Sequence, residues 1–118
     1  MSEKIILGIA PGTTIMGFGI ISVSDKKMSL IEMNELNLKK YKDHYLKLKL
    51  VFERTITLIE DFNPDEIAIE APFFGKNIQS MLKLGRAQGI AMAAGLSREI
   101  PITEYSPKKN KNGNNRKW

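Results

Sequence analysis

The stretch IILGIAPGTTIMGFGIISV, residues 5–23, decides the fold. Its opening run, IILGI at 5–9, is apolar throughout and reads as a strand buried on both faces, since a one-sided strand would alternate with polar residues. Pro11 and Gly12 end it. MGFGIISV at 16–23 reads as a second strand, with glycines where a neighbour or a ligand comes close. Asp25-Lys26-Lys27 makes a turn, and MSLIEMNEL at 28–36 alternates loosely as a third strand. Three such runs joined by short turns predict an antiparallel meander.

Beyond the meander the period changes. In DHYLKLKLVFERTITLIEDF, 43–62, an apolar stripe of Tyr45, Leu48, Phe52, Ile56, Ile59 and Phe62 predicts a helix, capped by Asp43 and stopped by Pro64. DEIAIEA at 65–71 is a short buried strand, and a strand-helix-strand crossover sets it parallel to the first. NIQSMLKLGRAQGIAMAAGLSR, 77–98, reads as a second helix. Its Gly85, Ala87, Gly89, Ala91, Ala93 and Ala94 give a smooth face for the sheet or a second subunit. ITEYS at 102–106 is the last strand. The class is α/β: three meander strands, then helix, strand, helix, strand. Residues 1–106 form the one domain, and 107–118 a basic, disordered tail with too few apolar residues to fold alone.

Composition narrows the chemistry. The 118 residues hold no cysteine and a single histidine, His44, which excludes disulfides, thiolate metal sites, histidine triads and multi-histidine zinc sites. Any hydrolytic chemistry must rest on carboxylates and bound metal. The absence of cysteine fits a reducing cytoplasm, and no apolar run approaches the length of a membrane span. All of the net charge of +5 resides in 106–118, while Lys39, Lys40, Lys42, Lys47 and Lys49 cluster around Asp43. Such clusters either neutralise phosphates or simply solvate a helix face. His44, at a helix start, reads as solvated. Gly12, Gly17 and Gly19 lack the Gly-Lys-Ser/Thr of a nucleotide-binding loop.

Two parallel strands ending at one sheet edge place Ala10 and Glu70 together, where open α/β sheets hold their ligands. An acid at the mouth of a buried strand is costly without a partner, and a metal ion would be one. A surface acid at a strand end is the alternative. A carboxylate at position 10 would complete half of a two-metal phosphodiesterase site; alanine offers no ligand.

At this point the sequence resembles a known family. ILGIAPGTTIMGFGII (6–21) is similar to the opening of the RuvC crossover (Holliday) junction endodeoxyribonucleases. IAIEAPFFGKN (67–77) and LKLGRAQGIA (82–91) are similar to their second signature, and EYSPKK (104–109) to the strand and helix start that come next in that family. The resemblance implies an RNase H-like fold and a magnesium-dependent (Mg2+), structure-selective DNA endonuclease acting on four-way junctions in recombination and repair. It also implies a cytoplasmic homodimer, with the branch-migration proteins RuvA and RuvB as further partners. By resemblance Glu70 is a catalytic metal ligand, and Ala10 occupies the place of the family's first-strand catalytic aspartate. Phe73 is the implied base-stacking wedge, with Phe74 in the core. Lys76 and Asn77 belong to a loop near DNA, and Lys83 and Arg86 face DNA or solvent.

Two departures stand beside the match. Ala10 removes a bridging ligand, and the family's C-terminal helix with two more aspartates is missing. The pattern breaks after Lys109 as a one-base slip in a lysine-codon run would break it. The expectation is a catalytically inactive chain. The other expectations are a non-catalytic branched-DNA-binding protein, a truncated product without function, or a relative of the YqgF-type nucleases.

Overall fold

The computed structural model describes residues 3–71 and 77–105. The elements follow the expected order: β1 (Lys4–Ala10), β2 (Ile15–Ser24), β3 (Lys27–Asn37), α1 (His44–Phe62), β4 (Glu66–Glu70), α2 (Ile78–Ser97) and β5 (Ile102–Tyr105). They build one five-stranded sheet in the order β3-β2-β1-β4-β5. The first three strands pair antiparallel, whereas β4 joins β1, and β5 joins β4, in parallel. Both parallel steps are crossovers through a helix.

Local chemistry sets the corners. Asp25 and Lys26 both adopt positive φ, 51° and 72°, which turns β2 into β3 with the twist that a two-residue hairpin requires. A Cβ on Gly12 would collide with the carbonyl oxygen of Ile15, so the β1–β2 turn closes only around glycine. Asp43 caps α1 by accepting from the Tyr45 N–H at 2.9 Å, and Asn63 closes its far end in the left-handed conformation.

The core lies between the sheet and the two helices, which pack on the same face. Leu7 and Ile9 of β1, Met16, Phe18 and Ile20 of β2, and Ile67 and Ile69 of β4 are all buried there. Ala87, Ala91, Ala94 and Gly95 bring α2 down onto the sheet; a Cβ on Gly95 would come within 2.5 Å of Ile67 Cδ1. The smooth face expected on α2 is therefore split, because Gly85 and Gly89 look into open space.

The stripe expected on α1 needs correction. Its buried residues are Val51, Thr55, Leu58 and Ile59, while Tyr45 and Phe52 are exposed. The true face is rotated by about one position, and Thr55 hides in it by donating its hydroxyl to the Val51 carbonyl at 2.8 Å. Arg54 reaches from α1 to Asn34 Oδ1 and the Glu35 carbonyl, tying the helix to the edge strand β3.

Candidate active site

Ile9 lies beside Ile69 in the parallel pairing of β1 with β4. One further step along each strand brings Ala10 and Glu70 side by side where the two strands end. Ile9 and Ile69 are fully buried under the helices, so alternation turns Ala10 and Glu70 to the opposite face. The same cross-strand row continues outward, with Gly17 opposite Ala10, Glu35 opposite Gly17 and Tyr105 opposite Glu70.

This row tests whether the described residues fit a metal centre. Glu35 and Glu70 are three strand spacings apart, about 14 Å, too far to share an ion. Divalent magnesium or calcium requires several oxygen ligands at about 2.0–2.6 Å. Among the described residues, no three His, Cys, Asp or Glu side chains come together in a way that could hold a metal. Between the two strand ends a methyl group stands opposite the single carboxylate. The described residues do not fit a two-ion centre.

The surroundings of Glu70 were only partly legible in the sequence. Tyr105 flanks it, and the phenol is pushed well above the usual tyrosine range, first by burial and then by the negative charge of Glu70. Gln88, buried in α2, donates from Nε2 to Glu104 Oε2 at 2.8 Å and lies 3.5 Å from the Glu70 carbonyl oxygen. It pins the helix to the ends of β4 and β5. The one sequence signal for this role was an amide standing alone among small residues on the sheet-facing side of α2.

The expected DNA contacts separate into groups. Phe73, Phe74 and Lys76 lie outside the described residues, as does the basic segment 107–118. Asn77 is the N-cap of α2, its Oδ1 accepting from the Ser80 N–H at 3.1 Å. Lys83 and Arg86 are exposed on the following turns. Lys83 also lines a hollow of about 220 Å³ with Lys42, His44 and Lys47. His44 is not solvated as expected: the residue is half-buried and its Nε2 is buried. None of the described helices is long and apolar enough to cross a membrane.

Comparison with known proteins agrees with this geometry. Residues 6–114 match the family described as crossover junction endodeoxyribonuclease RuvC. The RuvC protein of Christiangramia forsetii is 81% identical over 108 residues, which cover 92% of this chain and 56% of that protein. The RuvC protein of Bacteroides fragilis is 62% identical over 109 residues, 92% of this chain and 58% of that one. The chain thus spans rather more than half the length of these relatives. Among solved structures, T. thermophilus RuvC in complex with a Holliday junction substrate superposes with a TM-score of 0.81 at 23% identity, over 87% of this chain and 66% of that one. The yeast mitochondrial Holliday junction resolvase gives 0.63 at 19% identity, over 87% and 53%. At these identities the structures establish a shared fold, the RNase H-like one. With the parallel strand ends, Glu70 at their edge and a family match over nearly the whole sequence, the chain belongs to the RuvC family of crossover junction endodeoxyribonucleases.

Proposed function

We propose that this chain binds four-way junction DNA as a homodimer, with Glu70 as its catalytic-site carboxylate, and that it does not cut. The observation that carries the reading is the adjacency of Glu70 and Ala10 on parallel strand ends. That position suits a metal-assisted phosphodiester site, yet it holds one carboxylate where two would be needed. Glu70 is the residue that would hold Mg2+. Loss of a core ligand typically removes several kcal/mol of transition-state stabilisation, hence orders of magnitude in rate.

Binding does not share this dependence. Lys83 and Arg86 on α2, with the lysines at the start of α1, offer positive charge beside the strand ends, and phosphate neutralisation dominates affinity for DNA. The dimer is supported by the outer face of α2, where Ile78, Leu82 and Leu96 are exposed and Gly85 and Gly89 leave room for a close neighbour. A two-fold substrate also matches a two-fold protein.

The test compares a four-way junction with a linear duplex of the same sequence, at moderate salt and with 10-fold excess competitor. Selective retention of the junction is expected, with no strand scission when magnesium is added. Equal affinity for both DNAs refutes the junction reading; magnesium-dependent nicking abolished by Glu70→Gln refutes the inactivity.

A further inference from the structure

We propose that the hollow between α1, α2 and the β1–β2 loop is a phosphate subsite that seats one backbone phosphodiester of a nucleic-acid strand crossing the Ala10–Glu70 edge. The choice of DNA as the source of that phosphate rests on the junction-binding reading above. The anion site itself rests on the hollow.

Its lining is one-sided in charge. Lys42, Lys47 and Lys83 face a space of about 220 Å³ together with His44 and the hydroxyl residues Thr13 and Ser80, and none of the described residues that line it is acidic. Three ammonium groups around one space repel each other, and an anion placed among them relieves the repulsion. Asp43 is the acid next in sequence, but its Oδ1 is engaged by the Tyr45 N–H as the helix cap and it is not part of the wall.

A second, independent observation points the same way. His44 Nε2 is buried and has no hydrogen-bond partner among the described residues. A buried polar atom normally has one, and the imidazole that carries this nitrogen forms part of the wall of the hollow. The wall is also fixed in place: Gly12 locks the turn that presents Thr13, and α1 carries no acid in its first turn to repel an anion.

Position and openness favour a polymer over a small molecule. The β1–β2 loop leaves directly from Ala10, and α2 begins shortly after Glu70, so the hollow and the strand ends share one edge of the sheet. Lys42 and Lys83 are exposed while His44 and Lys47 are half-buried. The site is open along one side, as a continuous strand requires, whereas sites for small ligands enclose most of their surface.

His44 is the sole histidine, so its ring resonances report on the hollow without ambiguity. They are followed by NMR in the 118-residue chain as inorganic phosphate is added at constant pH and ionic strength. A saturable shift is expected, lost in Lys83→Gln and in Lys47→Gln but retained in Lys49→Gln, which lies on the same helix outside the hollow. No saturable shift, or an equal shift in Lys83→Gln, overturns the site; backbone amide spectra show that each variant is folded. The source of the phosphate is read from the salt dependence of junction binding. Lys83→Gln should make the slope of log K against log salt shallower by about 0.9, one phosphate contact. An unchanged slope with the phosphate response intact overturns the assignment to DNA. Phosphate saturation without any junction binding overturns the junction reading and the assignment to DNA together, and leaves the hollow as a site for free phosphate.

Discussion

Ala10 and Glu70 occupy equivalent ends of two parallel strands, and the difference between a methyl and a carboxylate there governs what the edge can hold. Ala10→Asp places a second carboxylate beside Glu70, at the neighbour distance of about 5 Å that adjacent strands impose. Manganese binding, followed by electron paramagnetic resonance, should tighten by at least about tenfold, or 1.4 kcal/mol, and the gain should vanish in Ala10→Asp/Glu70→Gln. No gain would show that the two side chains do not converge. Tyr105 makes a separate prediction. Its phenol is held above its ordinary value by burial and by Glu70, so the folded state keeps its proton where the unfolded chain releases it. That contribution is fully present below about pH 10, the unfolded tyrosine value, and is lost as pH rises beyond it. Lys4, raised by its hydrogen bond and ion pair with Glu66 at 2.8 Å, acts in the same direction. Urea midpoints of the wild type should therefore fall between pH 9.5 and 11, and Tyr105→Phe should flatten that fall. At this scale the sequence reveals Glu70 and Ala10, because strand ends can be read from apolar runs. It conceals Gln88–Glu104 and the buried His44 nitrogen, since both depend on how a helix comes to rest on a distant element.

Elements were legible wherever their period was clean. β1 holds a continuous apolar run and β4 a three-residue one, Ile67-Ala68-Ile69, between two glutamates, and Asp43 and Asn77 cap the two helices where hydrogen-bonding side chains precede an apolar pattern. α1 shows the limit of this reasoning. Two apolar stripes overlap on it, one through Phe52 and Ile56, the other through Val51 and Leu58, and the buried one contains a threonine that a hydropathy pattern counts as polar. Only the hydroxyl bond to the Val51 carbonyl makes Thr55 acceptable there. On α2 the small residues serve two sides. Ala87, Ala91, Ala94 and Gly95 meet the sheet, while Gly85 and Gly89 face outward among Leu82 and Leu96. In an isolated helix, Gly89→Ala should stabilise by about 0.5–1 kcal/mol, because glycine costs helix entropy and nothing obstructs the new methyl. If this face packs closely on a second copy, the same methyl should weaken the dimer. Gly89→Ala should thus raise the melting temperature of the dilute protein while increasing the dimer dissociation constant in sedimentation equilibrium. A variant that dimerises as tightly as the wild type removes α2 from the interface.

Among the described residues the helices lie on one side of the sheet only, and the smallest extent, 22 Å, is that of one sheet and one helix layer. The other face carries Gly8, Ala10, Gly17 and Gly19 along its middle, flanked by Met28, Leu30 and Met33 around a shallow hollow of about 350 Å³. Met33 is 65% exposed, Met28 60% and Leu30 59%, a contiguous apolar surface rather than scattered single residues. Such patches bind dyes and other apolar surfaces. In sequence, β3 reads as a strand with loose alternation. What the sequence could not show is that both helices fall on the opposite face, leaving these side chains bare. The 118-residue chain should therefore bind the dye ANS strongly while retaining a cooperative melt. Leu30→Lys/Met33→Glu should cut that fluorescence severalfold and raise solubility, at a stability change within about 0.5 kcal/mol, because surface substitutions away from packed contacts cost little. A large loss of stability in that pair would mean that the two side chains are packed against something in solution. Unchanged dye binding would place the apolar surface elsewhere, most simply on the outer face of α2, where Gly89→Arg then becomes the variant that abolishes it.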